Sequence, residues 1–141
     1  MMKGNILIID DDADDRDILA DIIASLGNTN KIVGQINGAE ALSYLCTTTE
    51  KILIIFCDVN MPIMNGLELK RRIDADPVLR KKSIPFVFYS TAATHNAIEE
   101  AYTTLSIQGF FKKENDYQKI KSIVNNIIEY WKYCVHPNSY I

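Results

Sequence analysis

Asn5-Ile6-Leu7-Ile8-Ile9-Asp10-Asp11-Asp12 is the stretch from which the fold can be read. Four apolar residues run without a polar interruption and stop at three carboxylates, the pattern of a strand buried on both faces that ends at the edge of a sheet. The next apolar residues, Ile18, Leu19, Ile22, Ile23 and Leu26, fall at helical spacing, and Gly27 stands where helices commonly stop. This predicts a helix from about Asp14 to Leu26 directly after the first strand.

The alternation continues to the C-terminal region. Lys31-Gln35 reads as a second strand, Ala39-Leu45 as a short helix, and Ile52-Cys57 as a strongly apolar third strand bounded by Asp58. Gly66-Ala75 is helical before a break at Asp76-Pro77, and Pro85-Tyr89 is the fourth strand. Ala97, Ile98, Ala101, Tyr102 and Leu105 mark a fourth helix, Gln108-Phe111 the fifth strand, and Tyr117 to Trp131 the apolar face of a last helix from about Asp116 to Lys132. Five strands alternating with five helices imply right-handed crossovers and a parallel sheet covered on both faces, an α/β doubly wound fold. Ligands bind such sheets beyond the carboxyl ends of the strands. Asp10, Asp11 and Asp12 follow strand one there, and Asp58 follows strand three.

Composition narrows the function classes. At 141 residues, 48% hydrophobic and 23% charged, the chain has the profile of one globular domain, and a net charge of -3 argues against a nucleic-acid surface. The basic run Arg80, Lys81 and Lys82 reads as a solvated loop. Cys46, Cys57 and Cys134 are odd in number and contain no Cys-x-x-Cys pair, which fits a reducing cytoplasm better than a disulfide framework or zinc site. No apolar run approaches the roughly 20 residues that span a bilayer. The expected organisation is one domain over residues 1–132 and a short tail over 133–141, with no output domain.

Carboxylates brought together from different strands repel one another and are tolerated chiefly around a cation. Oxygen ligands of this kind select Mg2+, with Mn2+ as an alternative. From Asp10-Asp15 alone, an acidic N-cap region favoured by the helix dipole explains the same residues.

Four motifs in order are more specific: Ile6-Leu7-Ile8-Ile9-Asp10-Asp11-Asp12, Cys57-Asp58-Val59-Asn60-Met61-Pro62-Ile63-Met64-Asn65-Gly66, Pro85-Phe86-Val87-Phe88-Tyr89-Ser90-Thr91-Ala92 and Gly109-Phe110-Phe111-Lys112-Lys113. Together they resemble the receiver domains of two-component response regulators over roughly Lys3 to Trp131. The resemblance implies a flavodoxin-like sheet of order 2-1-3-4-5. It implies that Asp58 accepts a phosphoryl group from a histidine kinase or phosphotransfer protein, that Asp11 binds the metal directly and Asp10 mainly through water, and that the Asn60 backbone carbonyl adds a ligand. It makes Lys113, with Lys112 as adjacent rival, the lysine that pairs with the phosphoryl group, and Ser90, with Thr91 as rival, the hydroxyl that bonds it. Ser90 and Phe110 would then change the surface of the family's fourth helix, fifth strand and fifth helix, to regulate a downstream protein or a homodimer. The family commonly has a cis-proline after the lysine, where this chain has Glu114.

Other residues have plainer readings. His95 reads as a surface residue, Cys57 as core, Pro62 and Gly66 as shaping the loop after Asp58, and Tyr130, Trp131 and Tyr133 as capping the core. A phosphatase or phosphotransferase with an aspartyl-phosphate intermediate typically carries a second carboxylate two residues after its nucleophile; Asn60 stands there, which argues against rapid turnover. A receiver-like module that no longer accepts phosphate is the remaining alternative.

Overall fold

The computed structural model describes residues 3–137. Its elements are β1 (Asn5–Ile9), α1 (Ala13–Ser25), β2 (Ile32–Gln35), α2 (Gly38–Thr47), β3 (Ile52–Cys57), α3 (Gly66–Ala75), α4 (Pro77–Lys82), β4 (Phe86–Ser90), α5 (His95–Thr104), β5 (Gly109–Lys112) and α6 (Tyr117–Tyr133). The five strands pair in parallel in the order β2-β1-β3-β4-β5.

Period-two alternation explains how two helical layers grip one sheet. Ile6, Ile8, Ile54, Phe56, Val87 and Tyr89 face one way and meet Leu19, Ile22 and Ile23 of α1 and Val124, Ile127 and Ile128 of α6. Leu7, Ile9, Ile55, Cys57, Phe86 and Phe88 face the other way and meet Ala41 and Leu45 of α2, Leu69 and Ile73 of α3, and Ala101 of α5. Each fully buried Leu, Ile or Phe contributes about 1.5–3 kcal/mol, so β1, β3 and β4, buried throughout, hold the domain together.

Every helix starts on a side chain suited to its free N–H groups. Asp12, Asn37, Asn65, Asp76, Thr94 and Asp116 each accept from an N–H of the first turn. Asp76 with Pro77 accounts for the difference from the sequence reading at the expected break. Proline is preset for the first helical position, so a short sixth helix forms there, and Arg80, Lys81 and Lys82 lie in its last turn instead of a loop. The family's fourth and fifth helices therefore correspond to α5 and α6.

The segment after α6 folds back. The buried His136 Nε2 donates to the Leu53 carbonyl at 2.6 Å, and its ring meets Trp131 edge-on. Trp131 packs against the α1/α6 core, whereas Tyr130 and Tyr133 are 63% and 88% exposed and do not cap it as expected. The rest of the expected tail, 138–141, lies outside the described residues. Among the described residues no helix is long and apolar enough to cross a membrane.

Candidate functional site

The carboxyl ends of β1, β3, β4 and β5 converge. Asp10 follows β1, Asp58 follows β3, Ser90 ends β4 and Lys113 follows β5. Asp10, Asp58 and Ser90 are buried, while Asp11 is exposed at the rim. Oxygens of Asp10, Asp11 and Asp58 lie within 4.8 Å of one another. This all-oxygen donor set, without thiol or imidazole, fits a small hard divalent cation.

Asp58 is held from several sides. Its N–H donates to the Ile9 carbonyl at 2.9 Å, tying the end of β3 to β1. Its Oδ1 accepts from the Val59 N–H at 2.7 Å and from the Ser90 hydroxyl, whose oxygen also accepts from the Ala92 N–H at 3.1 Å. Its Oδ2 accepts from Lys113 Nζ at 3.1 Å. The carboxylate is thereby held in orientation through both of its oxygens. Gly66 closes the site from below, since a Cβ there would lie 2.2 Å from the Asp58 carbonyl oxygen.

Register decides between neighbouring candidates. Ser90 pairs with Lys112 across β4 and β5, Lys112 and Thr91 are exposed, and the chain turns so that the Lys113 N–H donates to the Ser90 carbonyl at 3.0 Å. Lys113 enters the site with its side chain only 9% exposed, and Nζ reaches Asp10 at 2.6 Å and Asp15 at 2.8 Å. Burial works against its charge, but the Asp10 and Asp15 bonds and the nearby Asp58 outweigh burial and hold the ammonium above its ordinary range. Burial pushes the Asp10 carboxyl up, opposed by Lys113 and by the Asp12 N–H. Among the described residues no peptide bond is cis, so Lys113–Glu114 is trans.

Asp15 is the site residue that the sequence reading passed over as part of an acidic cap. Its signal was present: it stands four and seven residues before Leu19 and Ile22, which lie on the inward stripe of α1. Arg16 was missed as well, and its guanidinium donates to the Asp10 carbonyl at 2.6 Å. Asn60 is exposed on the loop after Asp58. Phe110 is half-buried against Phe88, with ring centroids 5.4 Å apart, and its N–H donates to the Tyr102 hydroxyl. His95 is exposed, with Nε2 3.1 Å from Glu99 Oε2 one turn along its own helix.

The family model for the response regulator receiver domain matches residues 6–125. This chain belongs to that family. The receiver domain is 32% identical over 124 residues to the chemotaxis protein CheY of Pseudomonas aeruginosa, covering 88% of this chain and 95% of that protein. It is also 32% identical over 124 residues to a protein-glutamate methylesterase/protein-glutamine glutaminase of Methanococcoides burtonii, but spans only 33% of that protein's length. In structure it is similar to the phosphorylated cyanobacterial phytochrome response regulator RcpA, with a TM-score of 0.85 at 25% identity over 96% of this chain and 99% of that one. The Mn(2+)-bound response regulator Rcp1, at 20% identity, shares the fold with a TM-score of 0.81 over 94% of this chain and 96% of its own.

Proposed function

We propose that this receiver domain is a phosphoacceptor switch of a two-component phosphorelay, with Asp58 as the residue that takes the phosphoryl group. The observation that carries the reading is the seat of Asp58: a buried carboxylate held by Ser90 and Val59 on one oxygen and by Lys113 on the other, beside Asp10. A carboxylate oxygen attacks phosphorus in a phosphohistidine of a histidine kinase or phosphotransfer protein. The new O–P bond forms as the P–N bond breaks, and the electron pair leaves with the imidazole.

Asp10, Asp11 and Asp58, with the Asn60 carbonyl, would hold Mg2+ or Mn2+, which when bound neutralises charge on the phosphoryl oxygens. Lys113, already bonded to Asp58, supplies a second positive charge as a compact donor. Ser90 already bonds Asp58 and exchanges this acceptor for a phosphoryl oxygen. Its movement, and that of Phe110 beside Phe88, changes the surface of α5, β5 and α6 that a downstream protein or second copy meets. Phosphorylation acts by favouring one of two conformations. Asn60, where hydrolases have a second carboxylate, accounts for slow autodephosphorylation without enzymatic turnover. A cytoplasmic place is part of this reading.

Intact-protein mass after incubation with acetyl phosphate, with and without Mg2+, tests it. Gain of one phosphoryl group that requires both the metal and Asp58, and is lost in Asp58→Asn, is expected. No gain in the parent from acetyl phosphate or from a panel of phosphorylated kinases overturns the reading in favour of a phosphate-independent module.

A further inference from the structure

Lys113 carries three N–H donors, and the structure assigns all three to carboxylates: Asp10 Oδ2 at 2.6 Å, Asp15 Oδ2 at 2.8 Å and Asp58 Oδ2 at 3.1 Å. Two of these carboxylates belong to the cluster that converges within 4.8 Å, and the third does not. An ammonium and a divalent cation drawn to Asp10 and Asp58 compete for the same negative charge. Whatever holds the ammonium elsewhere favours the cation.

We propose that Asp15 is a positioning residue for divalent-cation binding, giving the Lys113 ammonium an acceptor outside the Asp10, Asp11 and Asp58 cluster so that Asp10 and Asp58 can turn to the ion. This rests on the metal reading above. Asp15 suits the task because α1 is anchored at this point: Asp12 Oδ1 accepts from the Asp15 N–H at 3.2 Å, which fixes where its side chain leaves the helix. Its side chain is 39% exposed, against 7% and 9% for Asp10 and Asp58, so it can hold the ammonium at the edge of the site without entering the cluster. Solvent screening at that exposure keeps the effect modest.

The test is Mn2+ titration by calorimetry on the full chain: parent, Asp15→Asn, Asp15→Glu, Lys113→Gln and the Asp15→Asn/Lys113→Gln double variant. Asp15→Asn should weaken Mn2+ by about three- to tenfold in the parent background and by less than about twofold with Lys113→Gln, because the role runs through the ammonium. Asp15→Glu keeps the charge and should restore most of the affinity. Equal weakening in both backgrounds would mean that Asp15 acts on the ion through space, and overturns the inference. Should Lys113→Gln fail to fold by circular dichroism, Asp14→Asn decides, since it removes the same charge one residue earlier on α1; weakening equal to that of Asp15→Asn overturns the inference. A parent that takes up no Mn2+ removes the underlying metal reading too, and this shows before any substitution is made.

Discussion

Gly66→Ala tests whether the loop after Asp58 and the first turn of α3 are locked together as the structure shows. The added methyl would stand 2.2 Å from the Asp58 carbonyl oxygen, 3.0 Å from Phe88 Cε1 and 3.1 Å from the Asp58 carbonyl carbon. The nearest of these is backbone, which cannot rotate aside, so the end of β3 and the start of α3 must separate by about 1 Å against the close packing of the interior. Overpacking of this sort costs about 1–3 kcal/mol, and the backbone contact puts Gly66→Ala at the upper end. Unfolding entropy of about 2.1 cal/mol/K per residue gives about 0.3 kcal/mol/K for 141 residues, so about 2–3 kcal/mol lowers Tm by about 7–10 °C. Thermal circular dichroism reads that shift, and the initial rate of phosphoryl uptake from acetyl phosphate should fall with it, because Asp58 itself is displaced. Gly34→Ala is the control: its Cβ would meet Arg16 Cδ at an ordinary 3.5 Å, and Tm should hold or rise slightly. Equal Tm values for parent and Gly66→Ala would refute the reasoning.

Three further outcomes are expected. Ile63 has φ 69 at the centre of a tight turn in which the Met64 N–H donates to the Pro62 carbonyl, and its side chain is 85% exposed; Ile63→Gly should therefore stabilise by about 1 kcal/mol, raising Tm by about 3 °C, and a lowered Tm counts against strain there. His136→Ala removes a donor from the Leu53 carbonyl and should cost about 1–3 kcal/mol by urea unfolding; no change would show that the segment after α6 contributes nothing to stability. Burial pushes the Cys57 thiol well up, with Asp58 and Asp10 adding to the effect, so Cys57 should stay unmodified by an alkylating reagent between about pH 7 and 9 until the protein unfolds, while exposed Cys46 is labelled; equal labelling of the two by mass spectrometry would contradict the burial.

The lengths and periods of the apolar runs were enough to lay out the alternating strands and helices. Ile6-Ile9, Ile52-Cys57 and Phe86-Tyr89 are buried on both faces, so hydrophobicity alone marks them, and each helix N-terminus carries its own cap. The break at Asp76-Pro77 was misread because Asp76 both caps the end of α3 and caps the start of α4, and only packing of Leu79 into the core makes six residues there worth a helix.

The carboxylates at the strand ends were legible for the same reason: an abrupt charge after a buried run has few places to go. The choices between Ser90 and Thr91, and between Lys112 and Lys113, belonged to the tertiary structure, because adjacent residues of a strand face opposite ways and register is set by partners distant in sequence. The same holds for Asp15 and Lys113, 98 positions apart, and for His136 and Leu53, 83 apart. Local sequence determines which segments form strands and helices and which end in charge; which charge meets which is decided only when the sheet closes and brings separate strand ends within a few ångströms.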